Sequence, residues 1–554
     1  MSVPGCRLCL GRLGIAMLAL VLLFAPAPGF ADTQISGGQP PGAFDPAMLG
    51  SVIGAALNFL RPRTLEAYSC RQFTLWGLNG LTAIDPALTP EATEKTLRLV
   101  TPNGVLYAQK PPQETDAAGW TRAAVAMAGA AWSQSEPLRA AGQQALVQSF
   151  FDELFNHLDP YSRYIAPAPA ATDRDARNGA QASAGLTVLR EGRAIAIAAV
   201  NANGPAWAAG ISAGMRLLAI DGQPVRGLDE AAVTALLNGD PGSSVSLTLG
   251  PDPHAGHRMS RTDSRRHAPE QTVVLTRAAV PPETVFAFSS GDIVVLRVTG
   301  FSADTAQEMS LFLDQAMQPA ALGDGAASGA VKGLVFDLRG NRGGVLQQAV
   351  TSVALVLDHG VAVVTRGRMP QANHVWSVQG GDLIGGLPIV VMVDGRTASA
   401  AEIMAAALAD HRRAVVIGSA TLGKGLVQTI AQLPDGGELF VTWSRVLAPL
   451  GWPLQGLGVM PQVCTSLGHT ALDQAMRDLA DGVQDMNDAL RQERQARPPL
   501  PVARILEIRS ACPAAIGTDA DLDTARTLID DPVRYHAALV PEDIGTVSGA
   551  GASD

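Results

Sequence analysis

The spacing of apolar residues changes character along the chain. From Pro41 to about Ala180 apolar residues recur at helical spacing, as in LVQSFFDELFNHLDPYSRYI. Residues 32–180 are therefore predicted to form a helical region that ends in a Pro/Ala/polar linker. Over residues 181–279, short β-type runs such as AIAIAAV and RLLAIDGQPV surround two helical segments, which predicts a β-rich domain.

The β-rich domain carries an insertion, PDPHAGHRMSRTDSRRHAPEQ, with three histidines. A metal or anion site is one interpretation of this insertion. Because no carboxylate or cysteine ligand set has regular spacing there, we favour a solvated hairpin tip.

From residue 280 to 464, apolar runs alternate with amphipathic segments. GLVFDLRGNRGG and LPIVVMVDG are typical of strands buried on both faces, and TAQEMSLFLDQAM is typical of a helix. This alternation predicts an α/β domain with right-handed crossovers. Two further helical patterns predict a helical C-terminal region over residues 465–554, with a disordered tail.

The first 31 residues show the pattern of a secretory signal peptide. Arg7 and Arg12 precede an apolar run of about 12 residues, and Gly29 and Ala31 stand at cleavage spacing. A membrane span needs roughly 20 apolar residues, so an uncleaved anchor is the less favoured alternative. We therefore expect an exported, periplasmic protein, with membrane association left open.

Charge and cysteine content narrow the picture further. The net charge is -10 and no long basic stripe is present, so a nucleic-acid partner is not expected. Of five cysteines, two lie in the predicted signal peptide, and three thiols in an exported protein suggest one disulfide. Cys464 and Cys512, which flank the C-terminal region, are the preferred pair. Three buried, unpaired thiols are the alternative.

The segment GSATLGKG, residues 418–425, resembles a phosphate-binding loop. In such a loop the residue after the lysine supplies a hydroxyl to Mg²⁺, but Lys424 is followed by Gly425. An exported protein also meets little nucleotide. Nucleotide binding is therefore not expected, and Lys424 needs another explanation.

Ser399 follows the apolar strand LPIVVMV and precedes an alanine-rich helix. A serine at such a turn either presents its hydroxyl at the edge of a sheet or merely caps the helix. A nucleophilic serine needs a base, and a lysine among small and apolar neighbours can serve when it is neutral. If GLVQTI begins a helix, Gln428 lies one turn from Lys424 and orients its amine.

Paired glycines end the strand GLVFDLRGNRGG. Gly343 and Gly344 let the backbone approach a ligand and point N–H groups at it, although an ordinary turn is the alternative. Asp337 and Arg339 in the same segment are interpreted as an internal ion pair with no catalytic role.

Four segments, in this order, resemble the carboxyl-terminal processing peptidases, also called tail-specific proteases: GLVFDLRGNRGGVLQQAV, PIVVMVDGRTASAAEIMAAALAD, VVIGSATLGKGLVQT and PLGWPLQGLGVMPQV. LDPYSRYI resembles the linker of that family, and GPAWAAGISAGMRLLAIDGQPVRG resembles its PDZ domain. The resemblance covers about residues 150–463. It implies a multidomain α/β protein with a crotonase-like (ClpP-like) catalytic core, an inserted β-rich PDZ domain, and helical N- and C-terminal regions.

The resemblance also implies roles for individual residues. Ser399 falls on the nucleophile, Lys424 on the base and Gln428 on the helper of the family. The oxyanion donors are expected to be the N–H groups of Ala400 and of Gly343 or Gly344. The PDZ segment AGLTV is expected to bind a substrate carboxylate through the residues Gly185 and Leu186.

The implied function is an exported serine endopeptidase that recognises the apolar C-terminal tails of proteins and uses no metal or cofactor. A lipoprotein adaptor and a homo-oligomer are left open. A non-catalytic PDZ scaffold and an esterase or acyl transferase on the same fold are the alternatives.

Overall fold

The computed structural model describes residues 43–541 except residues 178–181, 193, 202–203, 213, 252–269, 279–282 and 318–330. The predicted signal peptide, most of the predicted hairpin insertion and the predicted disordered tail lie outside the described residues.

In chain order, the helices are α1 (Pro46–Arg63), α2 (Cys70–Leu78), α3 (Gly80–Ile84), α4 (Ala117–Gln134), α5 (Glu136–Phe155), α6 (Pro167–Arg177), α7 (Pro205–Ala208), α8 (Glu230–Leu237), α9 (Thr305–Ala316), α10 (Leu346–Ala354), α11 (Ala400–Asp410), α12 (His469–Ala480), α13 (Asn487–Gln495), α14 (Val502–Arg509), α15 (Asp519–Asp530) and α16 (Pro532–Ala538). The strands are β1 (Thr89–Ala92), β2 (Leu97–Thr101), β3 (Gly104–Gln109), β4 (Arg163–Ile165), β5 (Leu186–Glu191), β6 (Ala194–Val200), β7 (Arg216–Ile220), β8 (Gln223–Pro224), β9 (Ser244–Gly250), β10 (Gln271–Thr276), β11 (Val285–Ser290), β12 (Ile293–Val298), β13 (Gly333–Asp337), β14 (His359–Gly367), β15 (His374–Gln379), β16 (Ile389–Val393), β17 (Val415–Gly418), β18 (Leu426–Gln432), β19 (Glu438–Leu447) and β20 (Val463–Cys464).

The N-terminal region is built mainly from helices α1 to α5, whose apolar faces share one core. Helix α1 begins where the Asp45 side chain accepts hydrogen bonds from the N–H groups of Ala47 and Met48, both at 3.0 Å. Side chains fully buried in this core include Leu57, Phe73, Trp120 and Phe151.

The region predicted to be helical also contains a three-stranded antiparallel sheet, β1-β2-β3. On β2, Leu97 and Leu99 are buried and Arg98 between them is exposed, the alternation of a half-buried strand. The chain turns into β3 at Asn103-Gly104, where Gly104 has φ of 122°. An Asn-Gly pair between alternating apolar residues favours a hairpin, and this local signal outweighs the helical character of the flanking segments.

The β-rich domain folds around one sheet of order β10-β9-β7-β6-β5, with β8 paired to β7. Strand β5 is an edge of this sheet and helix α8 packs beside it. The core of the domain includes Val188, Leu217, Val233 and Leu247, all buried. An edge strand beside a helix leaves a groove in which an additional strand can pair.

The α/β domain has a six-stranded sheet of order β11-β12-β13-β16-β17-β20, parallel except for the edge strand β11. Strands β13, β16 and β17 are buried on both faces, as their continuous apolar runs predict. Leu334 and Phe336 of β13 pack in the core shared with α9, α10 and α11. Val335, on the other face, packs with α12, α15 and α16.

A second sheet, β15-β14-β19-β18, lies next to this layer, and β4 from the N-terminal region pairs with β19. The pairing joins Arg163 to Phe440 and Ile165 to Glu438. The segment that precedes the β-rich domain is therefore part of the α/β body.

The C-terminal region covers one face of the six-stranded sheet with α12, α15 and α16, whereas α13 and α14 pack with Leu457 and Met460. Cys464 and Cys512 form a disulfide, the pair preferred from the sequence, and Cys70 is a buried free thiol. Within the described part of the chain, no helix is both long enough and apolar enough to cross a membrane.

The disulfide is expected to contribute to stability because it closes a loop of 48 residues. Loop-closure entropy gives about 4 kcal/mol of unfolding free energy for a loop of this length. Reduction with dithiothreitol should lower the unfolding free energy of the wild type by up to this amount, as measured by urea denaturation. The same treatment should leave the unfolding free energy of the Cys464→Ser/Cys512→Ser double variant unchanged. Equal stability of the oxidised and fully reduced wild type would show that the disulfide has no stabilising role.

Candidate active site

Ser399 lies at the turn between β16 and α11, with φ of 57° and ψ of −119°. Few non-glycine residues adopt positive φ, and such strained positions cluster at functional sites. The flanking residues Ala398 and Ala400 are small and buried, and Ser399 itself is partly exposed. The turn stands at the carboxyl edge of the parallel strands, where ligands bind in open α/β sheets.

The Glu402 carboxylate joins this turn to the loop that carries Lys424. Glu402 is fully buried, and its Oε2 accepts hydrogen bonds from the backbone N–H groups of Ser399 at 2.7 Å and Lys424 at 2.9 Å. Its Oε1 accepts from the Gly423 N–H at 2.6 Å and from the Thr421 hydroxyl. One side chain therefore fixes the backbone at both residues.

The protonation of Glu402 reflects two opposing effects. Burial raises the pKa of this carboxyl above its usual value, and the four hydrogen bonds it accepts offset only part of that rise. Because every partner donates to the carboxylate, the ionised form satisfies all four donors.

The Lys424 side chain is half-buried, and this burial lowers its pKa below the ordinary lysine value. The positive charge of Arg163 on β4 lowers the pKa further, and the Glu402 carboxylate opposes both effects. The Nζ atom lies 5.2 Å from the centroid of the Tyr161 ring. The neutral amine is therefore more populated at a given pH than that of a free lysine.

The glycine turn after β13 lies directly against Ser399. Gly343 has φ of 92°, and a Cβ atom on it would stand 2.8 Å from Ser399 Cβ and 2.9 Å from the Ala400 nitrogen. A Cβ atom on Gly344 would stand 2.1 Å from the Phe301 carbonyl oxygen. Both positions therefore require glycine. Because glycine has no side chain, this turn can lie in direct contact with the serine turn.

Asn341 holds the two turns together. Asn341 is fully buried, and its side-chain Nδ2 donates to the Val298 carbonyl at 2.8 Å. Its backbone carbonyl accepts from the Ala398 N–H at 2.8 Å. Its Oδ1 accepts from the Gly343 N–H at 2.8 Å. Since the Gly343 N–H is engaged, Gly344 is the better of the two glycine candidates for an oxyanion donor, with Ala400 as the other donor.

The helix expected after Lys424 is wrong, because residues 426–432 form strand β18. β-branched residues, including Val427, Thr429 and Ile430, favour a strand, and the strand pairs with β19. Gln428 consequently does not lie one helical turn from Lys424. Its Nε2 donates to Thr442 Oγ1 at 3.3 Å, and that hydroxyl donates to Asp159 Oδ1 at 2.6 Å.

Asp337 and Arg339 form an ion pair with two contacts, 2.8 Å from Nε to Oδ1 and 2.9 Å from Nη2 to Oδ2. Arg297 also contacts Asp337 at 2.7 Å, and Arg339 reaches Asp521 of α15 at 3.0 Å. Burial pushes the pKa of Asp337 upward, but the charges and hydrogen bonds of the two arginines hold it below its usual value. This cluster ties the α/β domain to the C-terminal region.

In the β-rich domain, Gly185 has φ of 74° and a Cβ atom on it would stand 3.1 Å from the Gly204 backbone. Its N–H donates to Ser183 Oγ at 3.0 Å, and Leu186 begins the edge strand β5. Both predicted carboxylate-binding residues thus lie at the start of the groove between β5 and α8.

Glu402 and Asn341 were not singled out from the sequence. The Ser-x-x-Glu spacing of Ser399 and Glu402 is a helix-start signal that points to the glutamate. Nothing comparable marks Asn341, whose partners come from three separate segments. Among the described residues, no group of three or more His, Cys, Asp or Glu side chains is arranged to hold a metal ion.

Comparisons with known proteins identify the family of the chain. Residues 292–465 match the model of peptidase family S41, and residues 197–249 match a PDZ domain model. The carboxy-terminal-processing protease of Bartonella bacilliformis is 30% identical over 322 residues, which cover 58% of this chain and 69% of that protein. The carboxyl-terminal-processing protease of Picosynechococcus sp. is 34% identical over 311 residues, with 55% and 69% covered.

Among solved structures, a photosystem II D1 C-terminal processing protease aligns with 73% of this chain and 97% of its own chain, at 23% identity and a TM-score of 0.34. That score is too low to carry an argument about the fold. The family match and the two sequence relatives therefore identify the family. The chain is a serine-type peptidase with a PDZ domain, and it belongs to peptidase family S41, with the carboxyl-terminal processing proteases.

Proposed function

We propose that this peptidase binds the C-terminal tails of proteins on its PDZ domain and cleaves them with Ser399 as nucleophile and Lys424 as base. The observation that carries the proposal is the position of the Glu402 carboxylate. It accepts hydrogen bonds from the N–H groups of both Ser399 and Lys424, so the two candidate residues are held by one buried group.

In the proposed reaction, the neutral Lys424 amine takes the Ser399 proton as the serine oxygen attacks the peptide carbonyl. The resulting oxyanion is stabilised by the N–H groups of Ala400, at the start of α11, and of Gly344. The ammonium then gives its proton to the leaving amine, which yields an acyl-enzyme. Lys424, neutral again, deprotonates the water that hydrolyses the ester.

Gln428 is proposed to orient the lysine amine, as the resemblance implies. Its Nε2 already donates to Thr442 Oγ1, so the orienting group would be its Oε1, which would accept from Nζ. An amide oxygen carries no net charge, so it would hold the amine in place without strongly favouring the ammonium form.

Substrate tails are proposed to pair with the edge strand β5, beside α8, as an added strand. Gly185 and Leu186 at the start of β5 would meet the terminal carboxylate. The Gly185 N–H now donates to Ser183 Oγ, so a carboxylate would either displace that hydroxyl or use the Leu186 N–H.

We also propose that the protein is exported to the periplasm. The signal-peptide pattern motivates this, and the Cys464–Cys512 disulfide supports it because disulfides persist in oxidising compartments. An adaptor lipoprotein and self-association are compatible with the proposal.

Replacing either proposed catalytic residue should abolish cleavage. Ser399→Ala and Lys424→Arg are each expected to lower kcat/KM by about a thousandfold or more, since one lacks the nucleophile and the other a usable base. The measurement is the hydrolysis rate of an unfolded protein with an apolar tail. Ser133→Ala and Lys332→Arg, at exposed positions, are the matched controls. Near-normal rates for either catalytic variant would refute its assignment.

The pH dependence should report the Lys424 amine. Since only the neutral amine accepts a proton, kcat should rise with pH and reach half its maximum below the ordinary lysine value of 10.5. Removing the charge of Arg163 by Arg163→Gln should move this midpoint to higher pH, whereas Arg98→Gln, at an exposed surface pair, should not. If the midpoint of the pH profile were the same in Arg163→Gln and the wild type, the assignment of Lys424 as the base would be contradicted.

Glu402→Gln should damage both stability and rate. An amide of the same shape offers one acceptor atom, so its NH₂ group faces donors that the carboxylate oxygen satisfied. Each buried N–H left unpaired costs about 1–3 kcal/mol of unfolding free energy. Urea denaturation and peptide hydrolysis should both show the loss, and Glu66→Gln, at an exposed pair, should show neither. A fully active, fully stable Glu402→Gln enzyme would remove Glu402 from the mechanism.

A further inference from the structure

A glycine-rich loop lies between the Lys424 loop and the C-terminal region. We call residues 421–425 the base loop and residues 455–459 the support loop. The Gly456 N–H donates to the Gly423 carbonyl at 2.9 Å, and the Gly425 N–H donates to Gln455 Oε1 at 3.0 Å. These bonds satisfy base-loop groups that Glu402 does not reach.

The end of the support loop adds a second pair of bonds. The Val459 N–H donates to Thr421 Oγ1 at 2.8 Å, and the Thr421 N–H donates to the Val459 carbonyl at 3.2 Å. Because the Thr421 hydroxyl accepts this bond, its proton is free to go to Glu402. The two loops therefore share one hydrogen-bonded network with the carboxylate that holds Ser399.

The two loops touch backbone to backbone. A Cβ atom on Gly425 would stand 2.2 Å from the Gln455 nitrogen, and one on Gly458 would stand 2.7 Å from the Thr421 carbonyl oxygen. At Gly425 the three nearest atoms are all backbone atoms of the support-loop side, whereas at Gly458 the Thr421 hydroxyl and Arg509 Nη1 also lie within 3 Å of the added Cβ. A shift of the support loop therefore moves the base loop directly.

Helix α14 holds the support loop from the other direction. Arg509 Nη1 donates to the carbonyl oxygens of Leu457 and, at 3.4 Å, of Gly456. Ile505, one turn earlier, packs so that a Cβ atom on Gly456 would stand 3.0 Å from its Cδ1. Three residues after Arg509, Cys512 is tied by its disulfide to Cys464 at the end of β20.

The charge of Arg509 faces two buried carboxylates. Burial lowers the pKa of the guanidinium below its usual value, and the charges of Glu402 and Glu493 oppose part of that effect. The Arg509 guanidinium is thus stabilised electrostatically by the same Glu402 that holds Ser399 and Lys424.

We propose that Arg509 is a positioning residue for the lysine base, which it holds in its half-buried site through the support loop. The proposal rests on the role of Lys424 proposed above. Arg509 lies outside residues 292–465, the range matched by the peptidase model, and so gives the C-terminal region a part in catalysis.

The physical argument concerns water. Without the guanidinium, the Leu457 and Gly456 carbonyls lose their donor and need water as a replacement. Water that enters between helix and support loop loosens the base loop and hydrates Lys424, whose low pKa depends first on burial. Hydration favours the ammonium form, and each unit by which the lysine pKa rises lowers the neutral fraction about tenfold below that pKa.

The test is the pH profile of the full-length Arg509→Met enzyme on an unfolded protein with an apolar C-terminal tail. Near neutral pH, kcat should fall about tenfold, recover toward the wild-type value at alkaline pH, and leave KM within about twofold because the PDZ groove is unchanged. Arg504→Met, on the same helix but in an exposed pair with Glu507, should match the wild type.

Two outcomes would overturn the proposal: a profile that superimposes on the wild type, or a loss of kcat by the same factor at every pH. The second would indicate a general structural defect. If Arg509→Met does not fold, Ile505→Ala, which removes apolar packing beside the support loop but keeps the guanidinium, should give a smaller shift in the same direction. No shift would overturn the proposal.

The Lys424→Arg variant separates the two proposals. An active Lys424→Arg enzyme defeats both. An inactive Lys424→Arg enzyme together with an unshifted Arg509→Met profile defeats only the role of Arg509.

Discussion

The site depends on one buried carboxylate that accepts four hydrogen bonds. Glu402 binds the backbone N–H groups of Ser399, Gly423 and Lys424 and the Thr421 hydroxyl. A negative charge without water is tolerated only when its oxygens are fully hydrogen-bonded. The turn geometry at the serine and the course of the lysine loop are therefore both consequences of satisfying this single group.

The same carboxylate raises the pKa of Lys424, and the surroundings of the lysine lower it. A negative charge near Lys424 favours its ammonium form, which could not act as a base. Burial and the positive charge of Arg163 shift the balance toward the neutral amine. The N-terminal region supplies that arginine on β4, so the electrostatics of the base are set by a segment far away in the sequence.

Much of the architecture could be predicted from the sequence, because buried parallel strands such as β13 and β16 have continuous apolar runs and end in turns. The position of Ser399 after β16 follows from the same pattern. The helix expected at Gln428 is wrong because a short apolar segment fits the helical and the strand periodicity equally well. Pairing with β19 makes this segment a strand. Apart from the Thr421 hydroxyl, the hydrogen-bond partners of the Asn341 and Glu402 side chains are backbone groups, which carry no residue-specific signal.

The pairing of β4 with β19 also fixes when the enzyme can become complete. Asp159 and Thr442 are 283 residues apart, and the PDZ domain and Ser399 lie between them. Contacts of such long range form late in folding, after the intervening chain exists. The surroundings of the base are therefore complete only when β4, near the start of the folded chain, has paired with β19, which lies beyond Ser399.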